Sequence, residues 1–221
     1  MAGKPDARSA CQNWYQNIAN WTQERTSFHI RPAQKTDMMA VNQLRAAAFS
    51  EATEFRLKRM EPVLWDIQDD NALILNVING AGEIVATMRG VIASTQAEVE
   101  AQLEARLPPS LDLKGSVMIL ERGATRRDVR GMGLNSVLRL YFLRWAHERG
   151  IAHMLGSIYA GAPRTGVMKA IGYKFHEIIE DMDQWPVENL SPRMIAALDL
   201  DADGDKAIRL LAEKHRHLIQ K

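Results

Sequence analysis

The stretch ERGATRRDVRGMGLNSVLRLYFLRWAHERG, residues 121–150, decides the fold. It starts at the end of a β-like run, continues through several arginines and two glycines around Met132, and ends with apolar residues at helical spacing. A strand that turns into a helix points free backbone N–H groups at the space before the helix, and the positive end of the helix dipole favours an anion there. The stretch therefore predicts a strand, a glycine turn and a helix, with an anionic group bound at the turn.

The composition is that of an ordinary globular protein. The chain has 221 residues, of which 46% are hydrophobic and 25% charged, enough for one domain with a sizeable core. No apolar run approaches the roughly 20 residues of a membrane-spanning helix, and the start lacks a secretory signal pattern. One cysteine, Cys11, fits a reducing compartment, and a net charge of +1 gives no reason to expect nucleic acid. We therefore expect a cytoplasmic protein without a transmembrane segment or a nucleic-acid partner.

Hydrophobic periodicity and turn residues predict an alternation of strands and helices. The predicted strands are 28–30, 73–78, 83–92, 117–125, 151–159 and 173–179. The predicted helices are 10–25, 38–49, 96–107, 134–149, 163–171, 192–198 and 205–219. The order predicts an α/β (α+β) fold, a mixed sheet with helices on both faces.

The helices at the two ends suggest extensions to one domain. We expect an N-terminal helical extension at 1–27, a central domain at 28–182 and a C-terminal helical tail at 183–221. Trp14, Ile18 and Trp21 lie at helical spacing in the first extension. Such apolar helices can pack on the sheet, cover a site or pair two subunits. An oligomer formed through the terminal helices is therefore one of three open alternatives.

Several motifs together resemble the GNAT acyltransferase superfamily over residues 28–179. They are Ile30-Arg31-Pro32-Ala33 with Asp37, the hairpin at 79–82, the strand 117–125, Arg130-Gly131-x-Gly133-Leu134, and Val167-Met168-Lys169-Ala170-Ile171-Gly172-Tyr173. The resemblance implies a mainly antiparallel sheet and an acyltransferase domain whose turn grips the pyrophosphate or phosphopantetheine of a thioester donor. The donor-binding residues that it implies are Ala124, Thr125, Arg130, Gly131, Met132, Gly133, Leu134 and Asn135. Asn135 stands where the superfamily usually has Gly or Ala, and Met168 stands where it frequently has a catalytic tyrosine.

A second set of residues is similar to the acyl-homoserine-lactone synthases and the long-chain N-acyl amino acid synthases. The set is Arg45-x-x-x-Phe49, Asp66-x-x-Asp69, Arg89 and Arg122. Those synthases use acyl groups on phosphopantetheine, commonly on acyl carrier protein, so the resemblance implies that Arg45, Asp66, Asp69 and Arg89 bind substrate. Those synthases have an acidic residue three positions before the strand arginine. That position is Ile119 in this sequence, and the acidic residue Glu121 lies next to Arg122 instead. The Arg-Gly-x-Gly turn favours the amino acid synthases or ordinary GNAT enzymes over the lactone synthases.

The chemistry needs a base for the acceptor amine. A free α-amine has a pKa of about 7.7 to 8.0 and is largely protonated at neutral pH, so a carboxylate is useful. We expect Glu121 and Arg122 to be catalytic, with Glu121 as the base; a surface ion pair is the alternative for Glu121. In a regular strand these neighbours face opposite sides, so both line one site only if Gly123 introduces a β-bulge.

The role of each group of arginines can be interpreted in two ways. Arg122 and Arg89 are suited to a bidentate contact with an acceptor carboxylate, or to bracing Asp66 and Asp69. Arg126, Arg127 and Arg130 suit a phosphate or an acidic carrier protein, although a solvated turn shows similar charges.

The preferred function is transfer of an acyl group, with a fatty acyl group favoured, from acyl-CoA or an acyl-phosphopantetheine to the amine of a small acceptor such as an amino acid. We expect no tightly bound cofactor. We also expect no metal, because the acidic run from Asp199 lacks the glutamate that closes a calcium loop. Two alternatives stay open: an acetyl-CoA-dependent acetyltransferase and a non-catalytic GNAT-like binding module.

Overall fold

A computed structural model describes residues 28–52, 55–57, 63–181 and 187–218. The strands are β1 Phe28–Pro32, β2 Phe55–Leu57, β3 Leu73–Asn79, β4 Ile84–Ala93, β5 Ala105–Arg106, β6 Val117–Thr125, β7 His153–Tyr159, β8 Lys174–Glu177, β9 Glu180–Asp181, β10 Val187–Asn189 and β11 Arg193–Asp199. The α-helices are α1 Met38–Ser50, α2 Gln96–Leu103, α3 Leu134–Glu148, α4 Thr165–Ala170 and α5 Leu200–Lys214. The predicted helix at 10–25, with the rest of the N-terminal extension, lies outside the described residues.

Seven strands form one sheet in the order β1-β3-β4-β6-β7-β11-β8. β6 and β7 are parallel neighbours, and the other described pairs of this sheet are antiparallel. Two small two-stranded sheets, β2 with β10 and β5 with β9, lie outside it. The predicted mixed, mainly antiparallel sheet is confirmed.

Helices cover both faces of the sheet, as predicted. Apolar residues of α3, α4 and α5 join those of β3, β4 and β6 in the larger buried cluster, around Phe142 and Met118. A smaller cluster on the opposite face joins α2 to alternate residues of β6 and β11, among them Ile119 and Ile195. Among the described residues, no helix combines the length and apolarity needed to cross a bilayer.

The helix predicted at 192–198 is wrong, because this segment is strand β11. Met, Ala and Leu dominate it and are good helix formers, which is why local propensity favoured a helix. β11 instead bonds to β7 along one edge and to β8 along the other, and Ile195 and Ala196 are fully buried. Pairing on both edges overrides propensity. Residues after 183 therefore contribute an internal strand of the sheet as well as helix α5, which starts at the Asp199 cap and not at the predicted residue 205.

β6 and β7 pair over a short distance and then separate. Their register joins only Val117–Ile119 with His153–Leu155, although both strands continue well beyond these residues. Gly156 and Leu120, the next residues after the paired stretch, still lie close together, since a Cβ at Gly156 would lie 2.8 Å from the Leu120 carbonyl oxygen. Beyond this point the edge of β6 that faces β7 has no described strand partner, so its backbone groups can bond an extended ligand.

We predict that Gly156→Ala destabilises the fold, because its methyl group collides with backbone that no side-chain rotation relieves. The expected loss is about 1–3 kcal/mol of unfolding free energy, measured by urea denaturation. Gly166→Ala in α4 is the matched control, since a Cβ there meets nothing within 4 Å. Equal stability of the two variants would contradict the proposed close contact.

Candidate functional site

Six charged side chains from four parts of the chain form one ion cluster. Its members are Arg45 on α1, Asp66 and Asp69 in the loop before β3, Arg89 on β4, and Glu121 and Arg122 on β6. The structure thus brings together both predicted catalytic residues and all four predicted substrate-binding residues. Three arginines balance three carboxylates, so the six formal charges sum to zero.

Asp69 lies at the base of the ion cluster. Its side chain has no exposed surface, and it accepts hydrogen bonds from Arg45 at 2.8 and 3.1 Å and from Arg122 at 2.6 Å. Arg89 approaches the same carboxylate at 3.4 Å. A buried carboxylate with several guanidinium partners retains its charge in the interior only because these contacts replace water.

A β-bulge places Glu121 and Arg122 on the same side of the sheet. Thr87 pairs with Ala124 and Arg89 with Glu121, so two β6 residues, Arg122 and Gly123, stand opposite one β4 residue. The bulge predicted near Gly123 is present, but the residue with positive φ is Arg122, at +50°. The contacts of Arg122 with Asp66, Asp69 and the Leu64 carbonyl fix this conformation.

The arginines of the ion cluster are bound to carboxylates of the chain itself. Arg89 contacts Asp66 at 3.2 Å and Glu121 at 2.8 Å, and Arg122 joins Asp66 to Asp69. These contacts match the bracing interpretation of Arg89 and Arg122. Burial by itself would raise the pKa of Asp66, but the hydrogen bond and charge of Arg122 lower it to about 2.

Glu121 differs from the other carboxylates of the ion cluster because one of its oxygens has no hydrogen-bond partner among the described residues. Oε1 accepts hydrogen bonds from Arg89 Nε at 3.0 Å and from Gln102 Nε2 at 2.8 Å, while Oε2 accepts none from the described residues. The side chain is 20% exposed. Burial raises the pKa of Glu121 above its ordinary 4.5, against the opposing charges of Arg89 and Arg122. A carboxylate with a raised pKa and a free oxygen is suited to accept a proton.

The predicted donor-binding residues run from the end of β6 through the turn into α3. Gly131 and Gly133 have φ values of +82° and +89°, and Gly133 caps α3 without a side-chain hydrogen bond. The first amides of α3 therefore lack an intrahelical partner. Met132 is exposed, Leu134 is buried in the core, and Ala124 and Thr125 pair with β4. The Asn135 amide occupies the space into which a Cβ at Gly123 would point.

The predicted positive patch is largely neutralised by acidic neighbours. Arg126 binds Glu83 and Asp128 at 2.8 and 2.7 Å, and Arg130 binds Glu51 at 2.8 Å. Arg127 is exposed and approaches Glu51 at 3.9 Å. An anion at this turn would therefore depend on backbone amides more than on excess positive charge.

Three side chains beside the ion cluster and the end of β7 were not predicted from the sequence. Gln68 and Gln102 bond the ion cluster directly, and Tyr159 at the end of β7 stacks on Phe55 at 4.8 Å between ring centroids. Amides and short aromatic segments carry little local pattern, so no sequence signal identified them. Met168, at the position of the superfamily's tyrosine, is buried. Within the described ranges, no group of three or more His, Cys, Asp or Glu residues is arranged to hold a metal ion.

We predict that Asp69→Asn unfolds much more easily than the wild type, because three guanidinium groups lose their shared buried carboxylate. Removing one partner of a buried ion pair costs about 3–5 kcal/mol. Urea unfolding measures the loss, with Asp70→Asn as the neighbouring control, since Asp70 contacts exposed Lys35 and Trp65. A loss no greater than that of Asp70→Asn would show that the ion cluster does not stabilise the fold.

We predict that Gly133→Ala is more damaging than Gly131→Ala, although both glycines have positive φ. A Cβ at Gly133 would lie 2.4 Å from the buried His215 ring, whereas one at Gly131 meets nothing within 4 Å. Backbone strain alone is about 1–2 kcal/mol, and Gly133→Ala adds a collision. Thermal unfolding of the two variants checks the order, and equal losses would contradict the packing of His215 on the turn.

Comparisons with known proteins identify the fold. No protein-family model matches the chain, and no curated protein matches its sequence significantly. The solved structure of FeeM, an N-acyl amino acid synthase from uncultured soil microbes, has 13% identity and a TM-score of 0.57, covering 83% of this chain and 96% of its own. The AHL synthase LasI has 13% identity and a TM-score of 0.58, covering 83% and 95%.

An acetyl-CoA-bound structure shows the same architecture. The protein yncA from Salmonella typhimurium, solved with its cofactor acetyl-CoA, has 14% identity and a TM-score of 0.53, covering 80% of this chain and 95% of its own. At these identities a likeness concerns the fold alone. The chain has the GNAT acyltransferase fold.

Proposed function

We propose that this protein is an N-acyltransferase that moves an acyl group from a pantetheine thioester to the amine of a small acceptor. The observation that carries the proposal is Glu121, a partly exposed carboxylate on the strand that leads to the glycine turn, one of whose oxygens accepts no hydrogen bond from the described residues. The GNAT fold supports this class of reaction. Direct transfer is proposed, since no activated serine or cysteine was recognised in the sequence.

The proposed mechanism assigns separate tasks to separate parts of the site. The uncapped amides of α3 bind the donor phosphate, and the unpaired edge of β6 aligns the donor's extended arm. The acceptor's ammonium group first loses one proton to water, Glu121 takes a second proton as the nitrogen attacks the thioester carbon, and the C–S bond breaks as the C–N bond is completed. The proton then passes from Glu121 to the leaving thiolate, directly or through water, which regenerates the base.

A fatty acyl donor and an amino acid acceptor are the preferred substrates. FeeM is an N-acyl amino acid synthase and LasI an AHL synthase, and both share the fold. The ring of Phe55 lies between those of Phe49 and Tyr159, which form an apolar surface beside the end of β7 suited to an acyl chain. The apolar residues Met88, Met118 and Leu120 of β4 and β6 are instead buried in the core. Acyl carrier protein and CoA are both proposed as carriers, in a cytoplasmic enzyme.

We predict that the purified chain releases free thiol from an acyl thioester when an amine acceptor is present. The test supplies acetyl-CoA, long-chain acyl-CoA or acyl-loaded carrier protein with a panel of amino acids, and mass spectrometry identifies the N-acyl product. Glu121→Gln is expected to lower kcat/KM about 10²–10⁴-fold, because the base is lost.

Glu148→Gln on the exposed surface of α3 is the matched control and is expected to retain wild-type activity. Products from acetyl-CoA alone would favour the acetyltransferase alternative. A folded wild-type protein that transfers no acyl group from any of the three donors would contradict the proposed function and favour a binding module.

A further inference from the structure

We propose that Gln102 on α2 is a positioning residue that holds Glu121 with Oε1 bound to the protein and Oε2 directed to the acceptor. The inference rests on the proposed function, because it assigns the carboxylate oxygen that accepts the proton. It concerns a residue on the segment that connects β4 to β6, outside both groups of motifs recognised in the sequence.

The hydrogen bonds of Glu121 converge on one oxygen. Arg89 donates to Oε1 through Nε at 3.0 Å and approaches it through Nη2 at 2.8 Å, so its guanidinium group contacts one oxygen and not both. Gln102 Nε2 donates to the same oxygen at 2.8 Å. A carboxylate oxygen has two lone pairs, and the hydrogen bonds from Arg89 Nε and Gln102 Nε2 occupy them. The carboxylate is thereby held from two sides, and Oε2 is left without a described partner.

Gln102 itself is anchored by its contacts and by its helix. Its amide also donates to Gln68 Oε1 at 3.2 Å, and Gln68 accepts a hydrogen bond from Arg89. Gln102, Gln68, Arg89 and Glu121 thus form a closed ring of contacts. α2 begins with a capping box between Thr95 and Glu98. Such a ring fixes the direction of the side chain as well as its position.

The end of α2 is fixed to the central sheet. Arg193 on β11 donates to the Leu103 and Glu104 carbonyl oxygens at 2.8 and 2.7 Å. A cation at the last carbonyls of a helix satisfies acceptors that have no intrahelical partner. Val99 and Leu103 are buried on the same helix. These contacts hold the backbone of Gln102 at a fixed distance from β6, which a positioning residue requires.

Substitutions of Gln102 change the pKa of Glu121 in a direction that depends on the new side chain. An N–H donor stabilises the ionised form of Glu121, so removing the donor raises the pKa of Glu121 and a cation in its place lowers it. The other charged groups around this carboxylate are unchanged in each variant. They are Arg89 on β4, Arg122 on β6, Arg45 on α1, and Asp66 and Asp69 in the loop before β3.

The test compares the pH dependence of kcat/KM in the wild type, Gln102→Met and Gln102→Lys. The acidic limb of the profile, where Glu121 becomes protonated, is expected about one pH unit higher in Gln102→Met, because a hydrogen bond to a charged group is lost. In Gln102→Lys the acidic limb is expected at lower pH than in the wild type, because a cation stabilises the ionised form of Glu121. A loss of packing alone would move both variants in the same direction.

Gln96→Met is the matched control, with the same substitution on the exposed surface of the same helix, and is expected to keep the wild-type limb. A ¹³C NMR titration of the Glu121 carboxyl group measures the same pKa shifts without turnover. The signal is assigned by its loss in Glu121→Gln. Folded Gln102 variants whose Glu121 titrates as in the wild type would overturn the inference. If the pKa of Glu121 shifts in opposite directions in Gln102→Met and Gln102→Lys but the protein transfers no acyl group, the positioning role of Gln102 is supported. The proposed function is then overturned.

Discussion

Asp69 is fully buried, and its carboxylate contacts guanidinium groups from α1, β4 and β6. An isolated charge in this position would cost far more than a fold can supply, so the three arginines and the loop that carries Asp69 must assemble together. Their assembly joins the first helix to the centre of the sheet. It also determines where Asp66 and Glu121 lie, because Arg89 and Arg122 hold these carboxylates at the more exposed side of the ion cluster.

The bulge in β6 is a local consequence of this assembly. A non-glycine residue with positive φ costs on the order of 1–3 kcal/mol, and Arg122 adopts it while bonding Asp66, Asp69 and a backbone carbonyl. Without the extra residue, Glu121 and Arg122 would face opposite sides of the sheet. The bulge thus converts two sequence neighbours into members of one site.

The proposed mechanism separates donor binding from chemistry along β6. The bulge lies upstream, and the glycine turn follows the end of the strand. The arginines of the turn are paired with Glu51, Glu83 and Asp128, so the proposed binding of the donor phosphate depends mainly on oriented backbone amides. Between these two places the edge of β6 that faces β7 has no described strand partner. An extended thioester donor fits such an arrangement, since its phosphate and its reacting carbon are far apart.

The sequence by itself determined most of the elements and the composition of the site. The hairpin of β3 and β4, strand β6, the glycine turn and α3 follow from periodicity and turn residues, which are local properties. All six members of the ion cluster were also singled out from the sequence, five of them from a motif and Glu121 as the carboxylate next to Arg122. Their pairing with one another, the free Oε2 of Glu121 and the contribution of Gln102 were decided only by the tertiary structure, as was the strand at 193–199. These features depend on contacts between residues far apart in sequence, where burial and strand pairing outweigh local propensity.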